Sequence, residues 1–96
     1  MENETYVTTY WQDFGIAEHF GASAIKDTYR QAVKCWGNNI EYMTEICAVL
    51  NHKCWQWYEK MNEFCELYSE LYYKCYDYIC DHFTGDDLRY FFRVMD

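Results

Sequence analysis

The stretch ELYSELYYKCYDYICDHF, residues 66–83, combines five tyrosines with two cysteines and four acidic residues. On a helical wheel, where successive residues lie about 100° apart, its apolar residues and the phenylalanine just before it occupy one half of the circumference. These residues are Phe64, Leu67, Tyr68, Leu71, Tyr72, Cys75, Ile79 and Phe83. Because the apolar positions recur every three to four residues, they predict an amphipathic helix over about residues 63–83.

One edge of the same helix is acidic, and Lys74 takes one rung of it. We call its carboxylates the acidic stripe: Glu63, Glu66, Glu70, Asp77 and Asp81. Neighbours three or four residues apart on a helix stand about 5–6 Å apart, which is similar to the spacing of phosphates along a nucleic acid. The stripe therefore predicts either a solvated helix face or a surface that meets a basic groove as a nucleic acid would.

The helical period extends through most of the chain. It predicts a first helix from Thr8 or Thr9 through YWQDFGIAEHF, a second over ASAIKDTYRQAVKCW, and a long third helix over about residues 39–60. Within the third helix, LNHK at 50–53 predicts a bend or a polar contact inside the bundle, or an Asn that faces solvent.

Turn residues mark the ends of these helices. Gly21, Gly37 and Gly85 each follow an apolar-periodic segment, where a helix end favours a left-handed residue. Asp86 or Asp87 then caps a short final helix. Helices joined by short turns predict an all-α fold, a compact antiparallel bundle of four main helices plus a short C-terminal helix.

Length and charge set the class of protein. The 96 residues suit a single domain over residues 1–96, and we expect residues 1–7 to be loosely ordered. The net charge of −8 disfavours binding to nucleic acid or anionic lipid and favours a protein partner with a basic surface. The sequence lacks an apolar run of about 20 residues and a recognisable signal peptide, so we expect a cytoplasmic protein that binds no membrane.

Reactive side chains lack the spacing of known sites. There is no phosphate-binding loop, no nucleophile motif and no metal-ligand motif. We therefore expect no catalytic residue, no metal and no cofactor, and a protein that is not an enzyme. The cysteines fall inside helical patterns, which predicts reduced, buried thiols that act as small hydrophobes: Cys35, Cys47, Cys54, Cys65, Cys75 and Cys80.

Aromatic residues make up 22% of the chain, more than one small core needs. Trp55, Tyr72, Tyr73 and Tyr76 are candidates to leave the core face and anchor a partner or a second copy of the chain, as Tyr and Trp do at interfaces. A purely internal packing role is the alternative.

A short basic stripe stands on the second helix. Lys26, Arg30 and Lys34 follow one another at four-residue steps, so they share one face. They could bind a phosphate or an acidic partner, or contact only water.

Three segments carry a resemblance to a known family: YWQDFGIAEHFG at 10–21, AIKDTYRQAV at 24–33 and YMTEICAVLNHKCWQWYE at 42–59. With its W-Q-D-F start, its central K-D-T and its V-L-N-x-K-x-W helix, the chain resembles a family of small accessory proteins of phages and other mobile elements of gut Firmicutes. The resemblance implies a bacterial host and a setting in which small acidic proteins often antagonise host defences. The resemblance does not assign a function to any particular residue of this sequence.

The leading hypothesis is a non-enzymatic accessory protein that binds and inhibits a host defence factor. One such factor is a CRISPR effector nuclease, whose basic nucleic-acid channel the acidic stripe would occupy. The alternatives are a helical dimer that sequesters a nucleotide signal, and a purely structural dimerisation domain.

Overall fold

The computed structural model describes the backbone of residues 2–95 and the side chains of residues 10–95, and over this range the chain forms five α-helices and no strand. The helices are α1 (Glu2–Glu18), α2 (Ala22–Trp36), α3 (Ile40–Glu59), α4 (Phe64–His82) and α5 (Asp86–Met95). The predicted all-α bundle of four main helices plus a short C-terminal helix is confirmed. No helix in the described range is both long and apolar enough to cross a membrane.

The predicted start of the first helix is wrong. The α1 backbone is helical from Glu2 rather than from Thr8 or Thr9. The segment ENETYV contains neither Gly nor Pro, and acidic residues suit the N-terminus of a helix, so nothing in it stops the helix. The expectation of loose order over residues 1–7 stays a prediction, because the side chains there and Met1 lie outside the described residues.

Two asparagines close the ends of α3 with side-chain hydrogen bonds to the backbone. Asn39 caps α3, and its side-chain oxygen accepts a hydrogen bond from the Tyr42 backbone N–H at 3.0 Å. After α3 ends, Asn62 accepts one from the Phe64 backbone N–H at 2.9 Å, so α4 begins almost at once. The tight turn sets Met61 at a positive φ of 50°, and it makes α3 and α4 an antiparallel helical hairpin.

The core lies where α4 packs against α3 and where α1, α2 and α5 cover that hairpin. The apolar half of α4 faces this core as predicted. Phe64 and Tyr72 are half-buried there, and the other six residues of that half are buried. Phe14 from α1, Ile25 from α2 and Phe91 from α5 are fully buried against it. The bundle therefore turns one edge of α4 to solvent.

Gly21 and Gly85 take the positive φ that glycine favours, 107° and 59°, but the left-handed conformation predicted for Gly37 is wrong. Gly37 is right-handed, with φ −58°. A side chain is excluded there for a different reason: a Cβ would lie 2.6 Å from the Tyr78 hydroxyl oxygen and also 2.6 Å from the Val33 backbone carbonyl oxygen. That hydroxyl donates a hydrogen bond to the Gly37 carbonyl at 3.0 Å.

We therefore expect Gly37→Ala to lower the free energy of unfolding by about 1–3 kcal/mol, the usual cost of overpacking. Chemical denaturation measures this loss. In a Tyr78→Phe background the loss should shrink, because the hydroxyl that the new methyl group meets is gone. Equal losses in the two backgrounds would contradict the proposed contact.

Candidate functional site

The acidic stripe lies along the solvent-facing edge of α4. All five of its carboxylates are exposed, and so is Lys74 between them. None of the five forms an ion pair with any residue in the part of the chain that the structure describes. The stripe therefore presents unpaired carboxylates to solvent.

A groove of about 630 Å³ between α3 and α4 lies beside the stripe. We call it the hairpin groove, and its lining residues are Asn51, Cys54, Trp55, Tyr58, Cys65, Glu66, Ser69, Glu70, Tyr72 and Tyr73. It brings together the predicted anchors Trp55, Tyr72 and Tyr73 with the stripe carboxylates Glu66 and Glu70. Aromatic contact area and negative charge therefore share one concave surface.

Three of the four aromatic side chains that line the hairpin groove are mostly exposed, namely Trp55, Tyr58 and Tyr73, and the fourth, Tyr72, is half-buried. Trp55 is 60% exposed and Tyr73 is 63% exposed. The Trp55 ring packs edge-on against Tyr58, with 5.5 Å between centroids, and Tyr73 packs similarly against Tyr72 at 5.2 Å. Large aromatic side chains grouped at the surface are typical of interaction sites.

The same surface continues to the turn between α3 and α4. A second concave region there shares Tyr58 and Glu66 with the hairpin groove and adds Glu63 from the stripe. Met61, at the tip of the turn, is 94% exposed and lines it too. The acidic and apolar surface therefore extends along the N-terminal half of α4.

Tyr76, the fourth predicted aromatic anchor, lies elsewhere. It is half-buried, and its ring centroid is 5.1 Å from that of Phe91 and 6.2 Å from that of Phe92. Tyr76 thus packs where α5 folds back onto α4, outside the hairpin groove.

The predicted basic stripe is divided by the fold. Lys26 and Arg30 line a small groove of about 270 Å³ between α2 and α4, where Lys74 joins them and Lys34 does not. Glu70 lines the same groove, and Arg30 donates to the carboxylate of Asp27. The positive charge available to an anion is therefore partly offset.

A buried polar cluster centred on Glu18 was not predicted as a site. One carboxylate oxygen, Glu18 Oε2, accepts hydrogen bonds from the Tyr68 hydroxyl at 2.5 Å and from Trp57 Nε1 at 2.9 Å. The same oxygen is 3.1 Å from Lys53 Nζ. Lys53 is only 2% exposed, and its ammonium lies 4.3 Å from the centroid of the Trp11 ring. The cluster ties α1 to both helices of the hairpin.

The hydrogen bonds decide the charge of Glu18. Burial is the largest single influence and raises the pKa of its carboxyl, but the bonds from Tyr68, Trp57 and Lys53 together outweigh it and leave the pKa below its usual value. Burial, and then the neighbouring carboxylate, raise the pKa of the Tyr68 hydroxyl. Glu18 is thus held as an anion and Tyr68 as a neutral donor, an arrangement that stabilises the fold.

A sequence signal for this cluster did exist. Lys53 follows Leu50 by three residues and precedes Trp57 by four, so it continues the apolar face of α3. The LNHK segment was expected to make a polar contact inside the bundle or a bend, and Lys53 is the residue that makes the contact. Its partner, Glu18, is 35 residues away in the chain, so the periodicity of one helix cannot predict this contact.

The prediction that all six cysteines are buried is wrong for two of them. Cys47 and Cys75 are buried and Cys54 and Cys65 are half-buried, but Cys35 and Cys80 are exposed. Cys80 follows buried Cys75 by five residues, which places it about 140° round the helix and away from the core. Cys35 lines an open groove between α1 and α2. All six are free thiols.

Neither a metal site nor a relative identifies the chemistry. Within the described range, no three His, Cys, Asp or Glu side chains are grouped so that they could hold a metal ion; the expected absence of metal, cofactor and catalysis stays a prediction. Comparisons with protein-family models, curated proteins and solved structures find no match. The resemblance to mobile-element proteins therefore also stays a prediction. The helical-bundle fold and the surface of α4 are the features of the molecule that bear on its function.

Proposed function

We propose that this chain is a non-enzymatic binding protein whose acidic stripe and hairpin groove dock a basic protein partner. The observation that supports this best is the position of Glu66 and Glu70, which belong to the stripe and also line the hairpin groove beside Trp55 and Tyr73. One partner surface can therefore be steered by charge and anchored by aromatic rings.

The energetics of the stripe favour a cationic partner. Glu66 and Glu70 are one turn apart, as are Asp77 and Asp81, and like charges at this spacing destabilise a helix by about 0.2–0.5 kcal/mol per pair. None of these carboxylates has an ion-pair partner in the described range. Lys74 offsets the repulsion only in part, and the rest is relieved by water or by cations from outside. Lys and Arg side chains of a partner would remove it.

The shape of the stripe favours a groove that otherwise holds nucleic acid. From Glu63 to Asp81 the stripe is about 27 Å long, at ~1.5 Å per residue. Its charges follow one line, as the phosphates of a strand do. This supports the finer hypothesis of an anti-CRISPR-type inhibitor, which occupies the basic channel of a host effector nuclease. The resemblance to mobile-element proteins supports the same setting.

Two matched triple variants test the docking surface. The stripe variant neutralises Glu66→Gln, Glu70→Gln and Asp77→Asn. The control variant neutralises three exposed carboxylates on α3 and α5: Glu41→Gln, Asp86→Asn and Asp87→Asn. Each variant removes three negative charges. A difference in partner binding between the two variants therefore depends on where the charges lie and not on the net charge of the protein.

Immobilised wild-type protein and both variants are incubated with lysate of a bacterial host, and retained proteins are identified by mass spectrometry. We expect wild type and the control variant to retain the same basic protein. The stripe variant should bind it on the order of tenfold more weakly, or not at all. Equal retention by the stripe variant, or no specific partner for wild type, would contradict the proposal. Inhibition of purified RNA-guided nucleases, compared across the three proteins, tests the finer hypothesis.

A nucleotide-binding alternative keeps one supporting observation, the groove where Lys26, Arg30 and Lys74 meet. If this groove binds a nucleotide signal, a panel of nucleotides should raise the melting temperature, and Lys74→Glu should abolish the rise. A purely structural dimer would show a doubled mass in solution and bind neither nucleotides nor a basic protein.

A further inference from the structure

Two cysteines face each other across the α3–α4 hairpin. The sulfur atoms of Cys54 and Cys65 are 4.0 Å apart, and the Cys54 thiol also points at the Cys65 carbonyl oxygen, 3.6 Å away. Cys54 lies in the last turns of α3, and Cys65 is the second residue of α4. Because a disulfide bond is about 2.05 Å long, closing it requires the sulfurs to approach by about 2 Å.

From this geometry we propose that Cys54 and Cys65 are a reversible redox site, which closes to an intramolecular disulfide on reaction with a small-molecule disulfide such as oxidised glutathione. Both residues are half-buried and both line the hairpin groove, so a dissolved oxidant can reach them. The bond would staple α3 to α4 across their turn. Its formation does not depend on the proposed partner.

The reaction proceeds by two thiol–disulfide exchanges. The Cys65 thiol loses its proton and attacks one sulfur of oxidised glutathione, which forms a mixed disulfide and expels one glutathione thiolate. Cys54 then loses its proton and attacks the Cys65 sulfur, which expels the second glutathione thiolate. The two cysteine sulfurs are oxidised, one glutathione disulfide is reduced to two glutathiones, and the two protons pass to these products.

The surroundings of Cys54 suit the second step. Burial raises the pKa of its thiol, and contact with Cys65 raises it further, while a hydrogen bond with Ser69 acts in the opposite direction. A thiol with a raised pKa has a smaller ionised fraction, and since the thiolate is the nucleophile, such a thiol is a poor first nucleophile. Once Cys65 carries a mixed disulfide, however, Cys54 is already held beside the sulfur that it must attack, which gives it a high effective concentration.

The other four cysteines lack either access to a dissolved oxidant or a facing thiol. Cys47 and Cys75 are fully buried, so an oxidant dissolved in water cannot reach them in the folded protein. Cys35 and Cys80 are exposed, but neither makes a thiol contact within the part of the chain described. They can take up glutathione singly and are not placed to form a bridge. In the described part of the chain, Cys54 and Cys65 are therefore the pair whose thiols both face each other and line a groove open to solvent.

The test uses a Cys35→Ser, Cys80→Ser variant, which removes the exposed thiols and leaves the core intact. The folded protein is equilibrated with mixtures of reduced and oxidised glutathione, free thiols are trapped with N-ethylmaleimide, and non-reduced peptides are analysed by mass spectrometry. We expect joint loss of the free thiols at positions 54 and 65, a cross-linked peptide that contains both, and an intact mass lower by two hydrogen atoms. The change should reverse on addition of dithiothreitol.

Two single variants serve as controls in the same background. With Cys54→Ser or Cys65→Ser, the remaining thiol should stop at the glutathione adduct, because no second thiol resolves it. Three results would overturn the proposal: separate glutathione adducts on Cys54 and Cys65 in the parent variant, a bridge between Cys47 and Cys75 instead, or two thiols that stay free under oxidised glutathione. Circular dichroism before oxidation verifies that each protein is folded.

Discussion

Replacing Glu18 by Ala is expected to lower the free energy of unfolding by about 3–5 kcal/mol, the usual cost of removing one member of a buried ion pair. The Lys53 ammonium would be left buried without its counter-charge, and the Tyr68 hydroxyl and the Trp57 indole N–H would each lose their acceptor. Small domains are stable by only about 5–15 kcal/mol, so this loss is severe. Urea denaturation at neutral pH measures it.

The control for this prediction is Glu66→Ala, which removes an exposed carboxylate without an ion-pair partner in the described range. Its effect should stay within about 0.5 kcal/mol. A loss below about 1 kcal/mol for Glu18→Ala would contradict the role that we assign to the buried cluster.

The pH dependence gives the Glu18 prediction a second measurement. Because the pKa of Glu18 is lower in the folded protein than its ordinary value of 4.5, the stability that its charge contributes is fully present above that ordinary value and disappears as pH falls through the folded pKa. Comparison with Glu18→Gln isolates this contribution. The stability difference between wild type and Glu18→Gln should be largest near neutral pH and should shrink below about pH 4. A difference that grows on acidification would contradict the assigned charge state.

Trp55→Ala and Tyr73→Ala are each expected to weaken partner binding by about 2 kcal/mol, roughly 30-fold. Both rings line the hairpin groove and are mostly exposed in the free protein, so a partner would bury area that the fold itself does not use. For the same reason, the free energy of unfolding should change little. Titration calorimetry with the captured partner measures the binding loss.

Phe20→Ala is the matched control for these substitutions. Phe20 is also an exposed aromatic residue, but it lies in the α1–α2 turn and outside the hairpin groove. Its removal should leave affinity within about twofold of wild type. If the two groove variants behave like Phe20→Ala, the aromatic side chains of the groove are not binding anchors.

The sequence predicts best where burial and exposure follow the local helical period. On α4 the wheel separates the buried apolar half from the acidic stripe, and the structure places both as predicted. The cap at Asn39 and the hydrogen bond of Asn62 are equally local, since each side chain accepts from a backbone N–H two or three residues further along the chain. Such features need no knowledge of the tertiary fold.

The features that the sequence did not predict depend on contacts between distant residues. Gly37 is small because Tyr78 lies against it from another helix, and its predicted left-handed conformation considered only the helix end. Lys53 is buried because Glu18 reaches it from α1. The facing pair Cys54 and Cys65 depends on the tight turn at Met61, which brings two helices together. Periodicity along one helix contains none of this information.

If the acidic stripe and the hairpin groove together form the binding surface, charge on the stripe should steer the partner onto it. The association rate constant with the captured basic partner, measured for wild type, the stripe variant and the control variant as salt is raised, reports this steering. We predict that wild type and the control variant bind fast at low salt and slow markedly as salt increases, because screening weakens electrostatic steering. The stripe variant should be slow at low salt and nearly insensitive to it. A stripe variant that keeps the wild-type rate and salt dependence would contradict the claim.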